Sequence, residues 1–374
     1  MLAKTPPMGW NSWNTFGPNI NEQLIFEMAD IMVNDGYLDA GYEYLVIDDC
    51  WSKRERENGM IVPDPEKFPH GMKYVADYVH SKGLKFGMYS AAGIMTCAGY
   101  PGSYGHEYED ARQFAEWGVD YLKYDLCHFP GAGDVRNRYL KMSMALRATG
   151  REILFSGCTV GEHDPWDWMR SIGAHMYRST GDITDEFESF RYIAQTQLPN
   201  FKCSAPGCFN DMDMLVVGMS GEGNVSHNGG CTDKEYAMHF SMWCLWGAPL
   251  MMGADLRIVN EECKKIMLNK ELIALDQDPE ARPPYYEEKQ RYASKGRWGL
   301  LRLLSNNEMV LAYYNFADYD LDVLLYFDDY GVPAGQGLKL IDILTGENIG
   351  VKYDCFNPRL GAKEFRIYKA KFAK

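Results

Sequence analysis

The segment EYEDARQFAEWGVDYLKYD (residues 107–125) contains one unit of the pattern that decides the fold. Its first part has apolar residues at helical spacing and is closed by Gly118, and glycine is common just past the end of a helix. Its second part, YLKYD (121–125), is a short run rich in aromatic and aliphatic residues that ends in a charged residue. The segment therefore predicts a helix followed by a buried strand.

The same unit recurs through the first three quarters of the chain. Further strands are predicted at MGW (8–10), YLVIDD (44–49), LKFGMYS (84–90), EILFSG (152–157), HMYRSTGD (175–182), FNDMDML (209–215) and APLMMGAD (248–255). Helical spacing is found at residues 21–36, 70–83, 107–118, 135–150, 183–195 and 232–246. Eight β/α units over about 275 residues predict a closed (β/α)8 TIM barrel. A doubly wound open sheet is the alternative, but its usual glycine-rich nucleotide loop is missing from WNSWNTFG (10–17).

The pattern changes after Leu275. The segment DQDPEARPPYY (276–286) is polar and rich in proline, which is typical of a junction between domains. Short alternating runs such as EMVLAYYNF (308–316) and KEFRIYKAKF (363–372) follow it, separated by turn signals. These runs predict a C-terminal antiparallel β-sandwich. We place the boundary near residue 280, which gives a catalytic barrel over residues 1–280 and a β domain over residues 281–374.

Composition excludes several classes of protein. The chain has 374 residues with 38 Lys and Arg against 52 Asp and Glu, a net charge of −14, and no cluster of basic residues that could neutralise phosphates, so nucleic acid is excluded as a partner. No apolar run reaches the roughly 18 residues of a membrane span. The first residues, MLAKTPPMGW, show no signal peptide, so we expect a cytoplasmic location. The ten cysteines contain no C-x-x-C pair, which argues against a zinc site. The oligomeric state, including a homo-oligomer, is left open.

The candidate site follows from the barrel. Active sites of such barrels lie at the C-terminal ends of the strands. The polar and aromatic residues predicted there are Trp13, Asp48, Asp49, Cys50, Trp51, Tyr89, Lys123, Asp125, Thr159, Arg178, Asp182, Asp211 and Asp213. Any single aspartate in this set could be a helix N-cap. Six carboxylates at four strand ends need more explanation, because like charges in a cleft repel each other unless cations such as Lys123 and Arg178 hold them.

Carboxylates next to aromatic side chains suggest that the site binds carbohydrate. Glycoside hydrolysis requires two carboxyl groups on either side of the scissile bond. A lysine two residues before an aspartate, as Lys123 is before Asp125, would keep that carboxylate ionised for nucleophilic attack. An aspartate in a drier setting can keep a proton and act as the acid. Asp125 and Asp182 fit these two roles, although spacing alone does not select them from the six.

Successive motifs extend these observations to a family. The segments are TPPMGWNSW (5–13), VIDDCW (46–51), FGMYSAAG (86–93), TCAGYPGS (96–103), DYLKYDLC (120–127), YRSTGDI (177–183), FNDMDML (209–215), HFSMWCLWGAPLMMGADL (239–256) and NKELIALDQDP (269–279). In this order, they resemble the signatures of glycoside hydrolase family 27, which contains α-galactosidases and α-N-acetylgalactosaminidases. The resemblance covers roughly residues 5–280. It implies a retaining hydrolase of α-galactosylated oligosaccharides or glycoconjugates, on a TIM barrel with a C-terminal β domain, without a metal ion or other cofactor.

The resemblance also implies roles for individual residues. Asp125 matches the nucleophile and Asp182 the acid/base residue. Asp48 and Asp49 match the pair that binds O4 and O6 of galactose. Trp13, Tyr89, Lys123, Arg178 and Asp213 match other pocket positions, and Cys97 and Cys127 match a disulfide beside the site.

Two of the chain's departures from the family pattern bear on its function. Thr159 stands where many α-galactosidases carry a glutamate that crowds C2 of the sugar. Thr159 is therefore expected to leave room for an acetamido group, which makes α-N-acetylgalactosaminidase the alternative function. β-L-arabinopyranosidase is disfavoured because Asp49 retains the O6-binding carboxylate. The segment 218–231 looks long for the family, and we interpret it as a flexible surface loop in preference to a wall beside the leaving group.

Two alternatives belong to other classes of protein. A non-catalytic sugar-binding barrel is disfavoured because both Asp125 and Asp182 are retained. An aldolase-type barrel would use Lys123 as a Schiff-base amine, but Asp125 two residues away would keep that amine protonated.

Overall fold

The computed structural model describes residues 2–130, 134–285 and 296–373. Tyr286, the last residue of the predicted junction, lies outside these ranges. The described chain forms a barrel of parallel strands surrounded by helices, followed by an antiparallel β region. None of its helices is long and apolar enough to cross a membrane. The cytoplasmic location stays a prediction.

Eight parallel strands form the barrel wall. They are β1 (Met8–Asn11), β2 (Tyr44–Val46), β3 (Lys85–Ala91), β4 (Tyr121–Asp125), β5 (Leu154–Cys158), β6 (Met176–Arg178), β7 (Phe209–Asp211) and β8 (Leu250–Met252). From β1 to β7, strands that follow each other in the chain are neighbours in the sheet, and β8 pairs with β1. A gap is left between β7 and β8, the two ends of this strand order. The remaining gap is bridged by Leu215, which pairs in parallel with Met252. This closure confirms the predicted TIM barrel.

Ten α-helices connect the strands or follow them. They are α1 (Trp13–Phe16), α2 (Glu22–Asn34), α3 (Gly71–Ser81), α4 (Glu107–Trp117), α5 (Val135–Ala148), α6 (Pro165–Trp168), α7 (Phe187–Gln197), α8 (Asp233–Trp246), α9 (Glu261–Met267) and α10 (Lys270–Asp276) within the described residues. Short 3-10 helices cover Met169–Ile172, Leu198–Cys203 and Asp328–Tyr330. The start of α8 has a clear cause in the sequence. Thr232 and Glu235 form a reciprocal capping box that satisfies backbone N–H groups which have no partner within the helix.

One helix starts later than predicted. Helical spacing predicted a helix from Ile183, but α7 begins at Phe187. The Ile183 amide donates instead to the carboxylate of Asp213 at 2.8 Å, so the residues before α7 are held at the barrel rim. The apolar pattern alone does not distinguish this held segment from a first helical turn.

The C-terminal region is a two-layer antiparallel structure. Its main sheet contains β9 (Arg297–Leu303), β10 (Met309–Asn315), β13 (Leu338–Asp342), β14 (Asn348–Lys352) and β17 (Phe365–Phe372) in the order β14-β13-β17-β10-β9. Two short ladders, β11 (Leu321–Asp322) with β16 (Arg359–Leu360) and β12 (Leu325–Tyr326) with β15 (Cys355–Phe356), form the second layer. A buried apolar cluster that includes Leu311, Leu325 and Leu340 joins the layers. The predicted sandwich is confirmed, and the boundary near residue 280, between α10 and β9, stays a prediction.

The β domain also stabilises the helix that lies behind the site. Arg302 is fully buried and donates from Nη1 to the carbonyls of Cys244 and Leu245, each at 2.9 Å, near the C-terminus of α8. A cation at this end of a helix is favourable because the last carbonyls have no helical partners. Trp243 of α8 in turn donates from Nε1 to the carbonyl of Asp213 at 2.9 Å. The β domain is therefore connected to the barrel rim through α8.

Candidate active site

One cavity of about 540 Å³, open solvent included, lies at the C-terminal ends of the barrel strands. Ten of the predicted site residues line it: Trp13, Asp48, Asp49, Tyr89, Cys97, Lys123, Asp125, Arg178, Asp182 and Asp213. The other candidates, Cys50, Trp51, Cys127, Thr159 and Asp211, are not among its lining residues. Below the cavity, the barrel interior is filled by a small apolar cluster that includes Tyr44, Tyr121 and Met176. The cavity is thus a pocket with a closed floor.

Asp48 and Asp49 are both buried and have several hydrogen-bond donors. Asp48 Oδ2 accepts from Lys123 Nζ at 2.8 Å and from Asn11 Nδ2 at 2.7 Å. Asp49 accepts from the backbone amides of Cys50 at 2.7 Å and Ala98 at 3.0 Å. Burial raises the pKa of Asp49 above its usual value, although these amide bonds oppose the shift. Both carboxylates are therefore fixed in position before any ligand arrives.

Lys123 holds a different carboxylate from the one predicted. Its ammonium pairs with Asp48, while Asp125 accepts from the Tyr89 hydroxyl at 3.2 Å and from the Leu126 amide at 2.9 Å. Burial acts to lower the pKa of Lys123, but the charges of Asp48 and Asp125 outweigh it and raise that pKa above its usual value. The lysine therefore contributes charge to Asp125 without a direct bond. Its ammonium stays protonated, which counts against the Schiff-base alternative.

Tyr89 is a fixed donor next to Asp125. Burial, together with the Asp125 charge, raises the pKa of the Tyr89 hydroxyl well above its usual value. The hydroxyl therefore keeps its proton and can donate to the carboxylate. Asp125 itself is 8% exposed, at the floor side of the pocket.

Asp182 lies in a wetter environment than predicted. Its side chain is 73% exposed, and Arg178 Nη2 donates to its Oδ1 at 2.9 Å. Burial acts to raise the pKa of Asp182, but the charge and hydrogen bond of Arg178 outweigh it and lower that pKa below its usual value. The expectation of a dry, protonated acid is therefore wrong for the free protein. The sequence pattern located the residue but did not reveal its ion pair.

Arg178 is shared between two carboxylates. Its Nη1 lies 2.9 Å from Asp213 Oδ1, and both of these side chains are about 5% exposed. Asp213 also accepts from the amides of Ile183 at 2.8 Å and Met214 at 2.7 Å. Asp213 thus holds the arginine and the backbone next to Asp182 in place.

Asp211 lies close to this group but does not line the cavity. Burial raises the pKa of its carboxyl to about 6, and the Asp213 charge adds to the shift while Arg178 opposes it. Its Oδ1 accepts from the Asp213 amide at 2.9 Å. Asp211 therefore supports the backbone at Asp213.

Thr159 does not face the cavity as expected. It is fully buried, and its hydroxyl donates to the carbonyl of Glu162 at 2.7 Å, which closes a tight turn. Val160, with a left-handed φ of 47°, lines the cavity instead. The hydroxyl that was expected to open space at C2 is therefore used within the turn.

Cys97 and Cys127 form a disulfide beside Asp125, with a Cα–Cα distance of 4.9 Å. The Tyr89 hydroxyl lies 3.6 Å from Cys97 Sγ, so the disulfide contacts the same tyrosine as Asp125 does. Among the described residues, Cys97, Asp125 and Cys127 form a group with metal-ligand atoms close together, but the two sulfurs are bonded to each other.

Four cavity-lining residues were missed by sequence reasoning: Asn14, Val160, Met214 and Val225. Val225 lies in the segment 218–231, which was interpreted as a flexible surface loop. The structure places part of this segment against the pocket. Its length was the only signal available in the sequence.

Comparison with known proteins agrees with this geometry. A family model described as alpha galactosidase A matches residues 5–278, which contain all residues that line the cavity. The chain belongs to glycoside hydrolase family 27.

Three family 27 relatives show how far the similarity extends. Alpha-galactosidase 3 of Arabidopsis thaliana is 50% identical over 279 residues, which are 74% of this chain and 61% of that relative, so the match spans less than two thirds of the plant protein. The structure of α-galactosidase I from Mortierella vinacea has a TM-score of 0.92 and 33% identity, covering 99% of this chain and 97% of that one. The structure of the Saccharomyces cerevisiae α-galactosidase with raffinose has a TM-score of 0.88 and 28% identity, covering 100% of this chain and 98% of that one.

Proposed function

We propose that this family 27 chain is a retaining exo-glycosidase that hydrolyses terminal α-D-galactosyl residues. The observation that carries the proposal is the pairing of Asp125 and Asp182 in one pocket with a closed floor. Such a pocket accepts the end of a glycan and not its middle. Asp48 and Asp49 provide fixed acceptors for hydroxyl groups deeper in the site.

The proposed substrate is an α-galactosylated oligosaccharide or glycoconjugate. Similar proteins are named α-galactosidases, and one neighbouring structure was determined with raffinose. α-N-acetylgalactosaminidase is not favoured, because the Thr159 hydroxyl is bonded within its own turn and offers no contact to an acetamido group.

Two displacements account for retention. Asp125 attacks the anomeric carbon, the bond from that carbon to the leaving oxygen breaks, and Asp182 gives its proton to this oxygen. A water molecule then attacks the same carbon, Asp182 takes up the water's proton, and the Asp125 carboxylate is released. The Tyr89 hydroxyl keeps Asp125 oriented through both steps.

Asp182 must gain a proton before it can act as an acid. In the free protein, Arg178 favours the ionised form. A sugar bound in the pocket would cover this exposed carboxylate and remove water from it, and desolvation raises the pKa of a carboxyl group. Substrate binding therefore prepares the acid.

The test is release of nitrophenol from p-nitrophenyl α-D-galactoside by the wild-type protein and by Asp125→Asn. We expect the wild type to be active and the variant to lose at least about 10³-fold in kcat, because the nucleophile is gone. The matched control is Asp329→Asn, an exposed aspartate of the β domain, which should leave the rate unchanged. An inactive wild type contradicts the proposed substrate, and an active Asp125→Asn contradicts the proposed nucleophile.

A further inference from the structure

The segment 218–231, called here the β7–α8 loop, is anchored by a buried carboxylate. Asp185 is fully buried. Its Oδ1 accepts from the Tyr236 hydroxyl at 2.8 Å and the Cys231 amide at 3.2 Å, and its Oδ2 accepts from the Gly221 amide at 2.9 Å and the Ser226 hydroxyl at 3.1 Å. Donors from both ends of the loop thus converge on one side chain, which compensates for its desolvation.

The tip of the loop is docked on α1, the helix that begins at Trp13. The amides of Asn224 and Val225 both donate to the carbonyl of Asn14, at 2.7 and 3.3 Å. Gly223 has a φ of 95°, and a Cβ atom there would lie 2.7 Å from Thr15 Cα, so only glycine allows this approach. The tip is therefore held against the wall of the pocket.

This anchoring places an apolar side chain beside the acid/base position. The Asp185 amide donates to the carbonyl of Val225 at 3.1 Å, and Asp185 follows Asp182 by three residues. Val225 lines the cavity together with Asp182 and Trp13. A leaving group that takes a proton from Asp182 therefore lies in the cavity that Val225 lines.

We propose that Val225 is a specificity-determining residue for the leaving group and that Asp185 is the residue that positions it. The inference rests on the proposed function and concerns the part of the substrate beyond galactose. Val225 provides a hydrocarbon contact for a saccharide leaving group, and a one-carbon leaving group is too small to use it.

The experiment compares kcat/KM on two α-galactosides, raffinose and methyl α-D-galactoside, for the wild type and Val225→Ala. We expect the variant to lose about tenfold on raffinose, the lower range for a lost hydrocarbon contact, and less than about twofold on the methyl glycoside. The matched control is Val217→Ala, a buried valine that does not line the cavity. Val217→Ala should change kcat/KM for both substrates by the same factor.

Asp185→Asn tests the positioning role. It keeps the shape of the side chain but removes the charge that the converging donors require. We expect the same change in the raffinose-to-methyl ratio as for Val225→Ala. Asp342→Asn, at another buried aspartate that accepts backbone amides, is the control and should not change the ratio.

The outcomes separate the two proposals. If the wild type hydrolyses neither α-galactoside, the proposed function is wrong. If it hydrolyses both and the ratio is unchanged in Val225→Ala, the role of Val225 is overturned while the proposed function stands. If Asp185→Asn does not fold, the Val225→Ala ratio still decides the specificity claim.

Discussion

At the inner end of the pocket, formed by Asp48, Asp49 and Lys123, the charged groups are largely withdrawn from water and joined by fixed hydrogen bonds. At the outer end, formed by Arg178, Asp182 and Asp213, a buried arginine connects one buried carboxylate to one that is 73% exposed. Each end combines two carboxylates with one cation, but the two ends differ in their exposure to water.

This difference indicates a division of work. Charged side chains that are already fixed need not rearrange when the substrate binds. The inner end therefore suits recognition of the sugar hydroxyls that every substrate shares. An exposed carboxylate can exchange a proton with water and with a bound substrate, so the outer end suits proton transfer. The predictions below would break or sharpen this division.

The largest effect is expected at the inner end, for Asp48→Asn. The change leaves the Lys123 ammonium without its paired carboxylate, and breaking a buried ion pair costs about 3–5 kcal/mol of unfolding free energy. We also expect kcat/KM on α-galactosides to fall by about 10³-fold or more, because a buried polar contact to the sugar is lost. Urea unfolding and steady-state kinetics measure both. A loss of less than tenfold with unchanged stability would show that the inner end is not preorganised.

At the outer end, Asp182→Ala should separate activity from stability. Proton donation is worth about 10²–10⁴-fold for poor leaving groups, while a nitrophenolate needs little help, so we expect a much larger loss on raffinose than on the nitrophenyl galactoside. Because the side chain is exposed, the free energy of unfolding should change by no more than about 0.5 kcal/mol. Equal losses on both substrates would remove Asp182 from the acid role.

Asp213→Asn tests how the outer end sets its proton affinity. Asp213 shares Arg178 with Asp182, and Lys123 adds a second positive charge near Asp182. Without the Asp213 charge, Arg178 acts on Asp182 alone and lowers the pKa of Asp182 further.

The alkaline limb of the kcat/KM profile requires protonated Asp182, so Asp213→Asn should move it to lower pH by about one unit. An alkaline limb that stays in place or moves to higher pH in Asp213→Asn contradicts this account.

The smallest effect on catalysis is expected for Asp211, which does not line the cavity and acts on stability. Its folded-state pKa of about 6 lies above the usual value of an aspartate, so its contribution to stability is complete below about pH 4 and is lost as the pH rises through 6. The loss amounts to about 2–3 kcal/mol. Asp211→Asn should remove this decline in urea unfolding measured from pH 4 to 7. A decline equal to that of the wild type would exclude Asp211 as its source.

Much of the architecture was predictable from local patterns. Strand runs such as YLKYD and helical spacing such as 107–118 depend on burial along one face, which the sequence records directly. The start of α7 was missed because an amide-to-carboxylate bond, from Ile183 to Asp213, competes with the helix. Such long-range bonds leave no periodic signal.

The site was predicted by position but not in its connections. Lys123 and Asp125 are two apart on β4, yet the ammonium pairs with Asp48, which follows β2, two strands away in the sheet. Thr159 was expected to face the pocket, but a tight turn buries it and places Val160 at the cavity instead. Distances between strand ends and turn conformations decide such details, and they follow only from the folded chain.

The most direct test of the central claim is the anomeric form of the first product. Proton NMR during early hydrolysis of an α-galactoside, before the free sugar equilibrates in water, distinguishes α- from β-galactose. If Asp125 forms a covalent intermediate that water then displaces, α-galactose appears first and the β form follows only by mutarotation. If β-galactose appears first, a single displacement by water takes place and the role assigned to Asp125 is wrong.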